Sequence, residues 1–213
     1  MTAPAVYGSA MSTFVRTVRL ALEEKPCSYE LIDVSPFAGE HRQAEHLARH
    51  PFGKVPAFSH DGFDLYETDA IVRYIDQEIP GQSLQPLEAK PRARMNQIIG
   101  IVNAYAYRSV IGTIISNRLI VPSRGGQPDE AAIKAAVPEV DLCLKELERL
   151  MADNKYLADG RVSLADLFVV PLYHYLALTA EGEALLKQRS KLPGWWDLMK
   201  GRNSVATTEP KFG

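Results

Sequence analysis

Residues 52–68 read Phe52-Gly53-Lys54-Val55-Pro56-Ala57-Phe58-Ser59-His60-Asp61-Gly62-Phe63-Asp64-Leu65-Tyr66-Glu67-Thr68. Two apolar runs flank an Asp-Gly pair, which is the signal of a β-hairpin. Val55–Phe58 and Phe63–Tyr66 are therefore expected as antiparallel strands. From Glu67 to Ile79 the period changes, with Ile71, Tyr74 and Ile75 on one face of a helix. Upstream, His41–Arg49 reads as a short polar helix and Tyr29–Val34 as a strand. Ser12 starts a helix with Val15, Val18 and Leu22 at i, i+3 and i+7. Ala5-Val6-Tyr7 is a short strand stopped by Gly8. The order is β-α-β-α-β-β-α. Helical crossovers join parallel strands and a two-residue turn joins antiparallel ones, so the pattern predicts a small mixed sheet of thioredoxin-like type. Ligands of such sheets sit beyond the carboxyl ends of strands, near helix N-termini.

The rest of the chain reads differently. Pro80-Gly81-Gln82-Ser83, then Pro86 and Pro91, has the composition of an extended linker. Beyond it Arg92–Val121 is apolar on more than one face and is expected as a long central helix. Val137–Met151 carries Val140, Leu144, Leu147 and Met151 on one stripe. Ser163 and Asp166 have capping-box spacing, with Val162 and Leu167 as a hydrophobic staple. Helices are expected to run on to Leu186 and to recur at Gly194–Gly201. The fold class is α/β plus all-α: residues 1–80 a thioredoxin-like domain, 81–90 a linker, and 91–213 an all-helical domain.

Composition narrows the function. The chain has 213 residues, 24 Lys+Arg against 26 Asp+Glu, 46% hydrophobic and 23% charged residues. There is ample apolar side chain to offset chain entropy, so disorder is excluded. The sequence pI near 6.2 gives no electrostatic case for nucleic acid or a membrane surface. Charge is uneven: seven basic against twelve acidic side chains through residue 80, seventeen against fourteen after it. Cys27 and Cys143 are too few for a disulfide framework or a cysteine-based zinc site. Met-Thr-Ala-Pro is not a signal-peptide start, and Ile98–Ile115 is interrupted by Asn103 and Arg108. A cytoplasmic protein without a membrane span is expected.

Four groups of residues could carry chemistry. Ser12 opens the first helix, where a hydroxyl is ordinarily an N-cap but can also donate to an anion at the helix's positive end. Val55-Pro56 is either an edge strand or a cis proline that turns its neighbour's backbone toward an extended peptide. Glu67-Thr68-Asp69 caps a helix, or presents amides to a carboxylate while Glu67 takes an ammonium. His41-Arg42 is surface charge or a carboxylate clamp. His46 and His50 have metal-ligand spacing, but Leu47 stands where a catalytic glutamate would be, so a solvated helix is expected and no metal.

Tyr7-Gly8-Ser9-Ala10-Met11-Ser12-Thr13, Gly39-Glu40-His41-Arg42, Glu45 to Phe58 and Leu65-Tyr66-Glu67-Thr68 together resemble the cytosolic glutathione transferases, with most likeness to the phi class. The resemblance implies that Ser12 stabilises the glutathione thiolate. It implies that His41 and Arg42 meet the glycine end, that Lys54 and Val55 flank a cis Pro56 with the Val55 backbone on the cysteinyl part, and that Glu67 and Thr68 hold the γ-glutamyl end. It further implies a homodimer with Phe52 as the aromatic key. The resemblance makes glutathione the expected co-substrate, and the electrophile pocket is expected at Met11, Phe14, Tyr105, Tyr107 and Ile111. Asp69 and Thr17 depart from the family pattern, each standing where an Arg is common. Tyr7 is a rival thiol activator, because other classes use a tyrosine near the end of the first strand.

The implied reaction is conjugation of the thiolate to a small apolar electrophile, of detoxification type. Peroxide reduction, isomerisation or dehalogenation would use the same site, and a non-catalytic binding or assembly module is the remaining alternative. A glutaredoxin-type oxidoreductase is disfavoured, because Ser12 stands where that chemistry needs a cysteine.

Overall fold

The computed structural model describes residues 2–211, so the outer bounds of the two expected domains, residues 1 and 212–213, lie outside the described residues. The chain forms two compact units. The first runs through Gln85 and includes the segment from Lys200 onward; the second is Pro86–Met199.

In the first unit β1 (Ala5–Tyr7), β2 (Glu30–Ile32), β3 (Ala57–His60) and β4 (Phe63–Tyr66) form one sheet in the order β2-β1-β3-β4. β1 pairs parallel with β2 and antiparallel with β3, and β3 pairs antiparallel with β4. This is the mixed sheet that the element order requires. α1 (Thr13–Glu24) and α3 (Thr68–Glu78) pack on each other. Their stripes, Val15, Val18 and Leu22 and then Ile71 and Ile75, join Val6 and Phe58 in the core. Asp61 and Gly62 both take positive φ, as a tight hairpin turn requires.

Several boundaries move. β3 starts at Ala57 rather than Val55, because proline has no N–H for the ladder and the Val55–Pro56 peptide is cis. The expected 41–49 helix divides into a 3₁₀ turn, Glu40–Arg42, and α2, Ala44–Arg49. Gly39 at φ 80° opens the turn, and extended Gln43 separates the two pieces. α2 is largely solvated, as expected, with Ala44, Glu45, Leu47 and Ala48 exposed, but its two histidines are not: His46, and His50 at the C-cap, are only 4% and 3% exposed.

The linker is not extended throughout. Asp76 accepts from Leu84 N–H at 2.7 Å and Gln85 Nε2 at 3.0 Å, and pairs with Lys25 Nζ at 2.8 Å. Burial alone would raise the Asp76 pKa, but these hydrogen bonds and the Lys25 charge outweigh it and hold it below the usual range. Residues 81–85 are thus tied back onto the first unit.

In the second unit α4 (Ala89–Ile101) continues into wide, π-type turns over Val102–Ala106 and Arg108–Ile120, then α5 (Val121–Ser123). Between Ala89–Ala106 and Arg108–Ser123 the axis bends by 45°, so the single long helix expected from the sequence is a broken one. No single helix among the described residues is long and apolar enough to cross a membrane. α6 (Glu130–Met151) begins seven residues before its expected start, because Asp129 caps it through Ala132 N–H at 2.9 Å and Pro138 is accommodated inside. α7 (Leu164–Leu176), α8 (Ala180–Leu186) and α9 (Leu192–Lys200) follow.

The last helix, α10 (Asn203–Thr207), is absent from the sequence reading and lies in the first unit, not in the helical domain assigned to residues 91–213. It packs on α1. Arg16 and Arg19 donate to the carbonyls of Val205, Thr207 and Thr208, and Arg202 and Ser204 bond Glu24. Positive side chains at a helix C-terminus satisfy carbonyls that the helix itself leaves free.

Candidate active site

The sheet register collects the candidate residues of the first unit. Ile32, Tyr7, Ala57 and Tyr66 form one row across the four strands. β1, β2 and β4 end at that row and β3 begins there. The segments 8–12, 33–42, 54–56 and 67–68 therefore all leave or enter the sheet at one edge. α1 and α3 start from the same edge, so two helix N-termini, each with partial positive charge, face it.

Ser12 is half-buried and caps α1, with its Oγ accepting from Val15 N–H at a long 3.4 Å. No acid lies in the first turn of α1 to compensate its positive end. Gly8 is what lets this end close up. It sits at φ 150°, and a Cβ there would stand 2.5 Å from Val15 Cγ2 and 3.0 Å from Val55 Cβ. The start of α1 and the 54–56 segment thus meet over a position that only glycine fits.

Neither backbone polar group of Val55 is hydrogen-bonded among the described residues. His46 Nε2 donates to the Lys54 carbonyl at 2.7 Å. On the other side of this loop Gly53, at φ 56°, lies against the His41 carbonyl. Arg42 Nε donates to His41 Nε2 at 3.4 Å. Burial first, then the charges of Arg42, His46 and Lys54, push the His41 pKa below the ordinary histidine value, which suits a neutral hydrogen-bonding ring.

Glu67 is exposed and takes φ 71°, ψ 113°, a backbone conformation costly for any residue with a Cβ. Its side chain makes no capping bond to α3. Thr68 behind it is buried, and Asp69 pairs with Arg73 at 3.1 Å. Phe52 is 71% exposed and packs edge-on to Tyr66 at 6.1 Å and to His50 at 6.3 Å. Burial lowers the His50 pKa, and nearby Glu67 opposes that shift.

Met11 and Phe14 flank Ser12 in the first unit, both half-buried. Tyr105, Tyr107 and Ile111 lie on the wide-turned stretch of the second unit. Tyr107 and Ile111, four apart, share a face, and burial raises the Tyr107 pKa. Tyr105, two residues away and 57% exposed, points to nearly the opposite side. The three do not form one surface.

The sequence reading missed Arg49, whose guanidinium lies 4.4 Å over the Tyr7 ring. No spacing signals this contact, because it joins a helix end to a strand. The Tyr7 hydroxyl has no hydrogen-bond partner among the described residues, and no cluster of three His, Cys, Asp or Glu side chains able to hold a metal occurs among them.

Residues 4–77 match the family model described as the glutathione S-transferase N-terminal domain, and residues 130–201 match that of the C-terminal domain. The Arabidopsis thaliana protein named glutathione S-transferase F13 is 31% identical over 207 residues, covering 96% of this chain and 94% of its own. The crystal structure of glutathione transferase F7 from Populus trichocarpa superposes with a TM-score of 0.87 at 30% identity, over 97% of each chain. Glutathione S-transferase I from mais, solved in complex with an atrazine glutathione conjugate, gives 0.86 at 28% identity, over 97% of this chain and 96% of its own.

Proposed function

This chain belongs to the glutathione S-transferase family, and from that premise we propose that it joins the sulfur of glutathione to small apolar electrophiles, with Ser12 stabilising the attacking thiolate. The observation that carries this reading is the convergence of four segments and two helix N-termini on one sheet edge. Glutathione has two carboxylates, an ammonium and a thiol, and the edge offers a group for each. Glu67 and Thr68 with the first amides of α3 take the γ-glutamyl end. The Val55 backbone beside Pro56 takes the cysteinyl peptide, with Lys54 alongside. His41 and Arg42 take the glycyl carboxylate.

A cysteine-like thiol has a reference pKa of ~8.5, so little thiolate exists at neutral pH. Lowering it by about two pH units needs about 2.7 kcal/mol in favour of the charged form. A Ser12 hydroxyl hydrogen bond and the uncompensated N-terminus of α1 supply stabilisation of that order. The thiol proton leaves to solvent, the sulfur lone pair forms the new S–C bond, and a leaving group departs with its bonding pair or an activated double bond accepts it. Met11 and Phe14 stand beside Ser12 as apolar neighbours for the electrophile. The two free thiols, Cys27 and Cys143, fit a reducing cytoplasmic setting, and the conjugation itself would serve a detoxifying role.

Thiolate absorbance titrated against pH in the binary complex tests the assignment. Ser12→Ala is expected to leave glutathione bound and to raise its thiol pKa by about one pH unit, near 1.4 kcal/mol. Tyr7→Phe, whose hydroxyl is idle in the free protein, is expected to leave the curve in place. The reverse outcome would transfer the role to Tyr7.

We also place a homodimer contact at Phe52. It heads an exposed aromatic patch with Tyr66 that a lone subunit would leave in water. Light scattering should show a dimer at micromolar concentration, weakened by Phe52→Ala without unfolding; a strictly monomeric wild type refutes the contact.

A further inference from the structure

The proposed site requires the Val55 N–H to face the ligand, and this rests on the glutathione reading above. We infer that His46 is the positioning residue that aims it. The Lys54–Val55 peptide is trans, for the cis bond is the next one, Val55–Pro56. In a planar trans peptide C=O and N–H point in opposite directions. The Lys54 carbonyl is turned inward to His46, which is 4% exposed and donates from Nε2 at 2.7 Å. The Val55 N–H on the same peptide plane therefore points the other way, and no described residue accepts from it.

The anchoring is specific. A carbonyl oxygen can only accept, so Nε2 of His46 carries a proton. Its Nδ1 is buried without a partner, so the bond to Lys54 is the polar contact the ring makes among the described residues. His46 is itself held in α2, stacked on His50 with ring centroids 6.3 Å apart. On the other side of the loop the backbone runs close to the His41 carbonyl, for a Cβ on Gly53 would stand 3.2 Å from that oxygen. Without the imidazole donor the 54–55 peptide could rotate, and the N–H would lose its fixed direction.

The test compares the wild type with His46→Phe, which keeps a ring and deletes the donor, and His46→Gln, which restores an N–H at similar reach. Glutathione binding is read by calorimetry, KM and kcat with an aryl halide, and the Val55 amide by nitrogen-15 NMR. We expect His46→Phe to raise the glutathione Kd and KM about tenfold with kcat at saturation little changed, and His46→Gln to recover most of the loss. In the wild type, glutathione should move the Val55 amide resonance and protect it from exchange; in His46→Phe that response should shrink. Should His46→Phe fail to fold, the wild type alone decides through the His46 tautomer and the Val55 amide. A ring protonated only at Nδ1, or a Val55 amide indifferent to glutathione, overturns the inference. Normal wild-type binding with unchanged Kd in His46→Phe overturns the inference alone, whereas a wild type that binds no glutathione overturns the functional reading and this with it.

Discussion

Replacing Asp166 with alanine is expected to remove a large share of the stability of the helical unit. The carboxylate is fully buried and accepts four hydrogen bonds: Leu157 N–H at 2.9 Å, Ser163 N–H at 2.8 Å, Ser163 Oγ–H at 2.9 Å and Trp195 Nε1–H at 2.8 Å. Burial pushes its pKa up while these four donors favour the charged form. Truncation strands all four donors in the interior. Each unsatisfied buried group costs about 1–3 kcal/mol, so the sum is about 4 kcal/mol or more, against a total stability of about 5–15 kcal/mol for a typical domain. Asp166→Asn keeps one acceptor oxygen and turns an amide N–H₂ toward a donor, so it should fall between. Urea unfolding followed by tryptophan fluorescence measures the series, since Trp195 is itself a ligand of the carboxylate. An alanine variant with the wild-type midpoint would show that the donors find other partners.

Glu67→Ala is expected to weaken glutathione binding by about 2–5 kcal/mol, at least about thirtyfold in Kd, by removing the charge assigned to the ligand's ammonium. The backbone gives a second handle. At φ 71° a Cβ costs about 1–3 kcal/mol, whereas glycine loses only about 0.5–1 kcal/mol in chain entropy. Glu67→Gly should therefore bind as poorly as Glu67→Ala and yet unfold at higher denaturant. Stability rising while affinity falls would mark the strained residue as held for binding. His41→Ala should weaken affinity too, and a glycine at that position should bring no gain in stability, because His41 does not have the positive φ that Glu67 has. Calorimetric titration and urea midpoints on the three variants decide; unchanged affinity in both alanine variants removes the site as assigned.

The alternation of strand and helix periods through residue 80 suffices to predict a mixed four-stranded sheet, because β-hairpin and crossover connections leave few other arrangements. Ser12 as an N-cap and Ser163 with Asp166 as a capping box are equally legible. Both are local, with donor and acceptor within one turn. The sequence also singles out the residues proposed to meet glutathione, but only through their joint likeness to a known family; spacing alone leaves each as an ordinary cap or surface charge.

What the sequence by itself determined is thus the periodic and the local: element order through residue 80, caps, the Asp61-Gly62 turn and the chemical types available to the site. Tertiary structure alone decided the rest. Arg49 over Tyr7, His46 on Lys54, α10 held by Arg16 and Arg19, and Trp195 completing the Asp166 cage each join residues from different elements. A one-dimensional pattern records which face of an element is apolar, but not which partner covers it. The inward turn of the Lys54 carbonyl is set by a neighbour, His46, since a buried backbone acceptor needs a donor, and the break in the helix of the second unit follows wide turns that no periodicity marks.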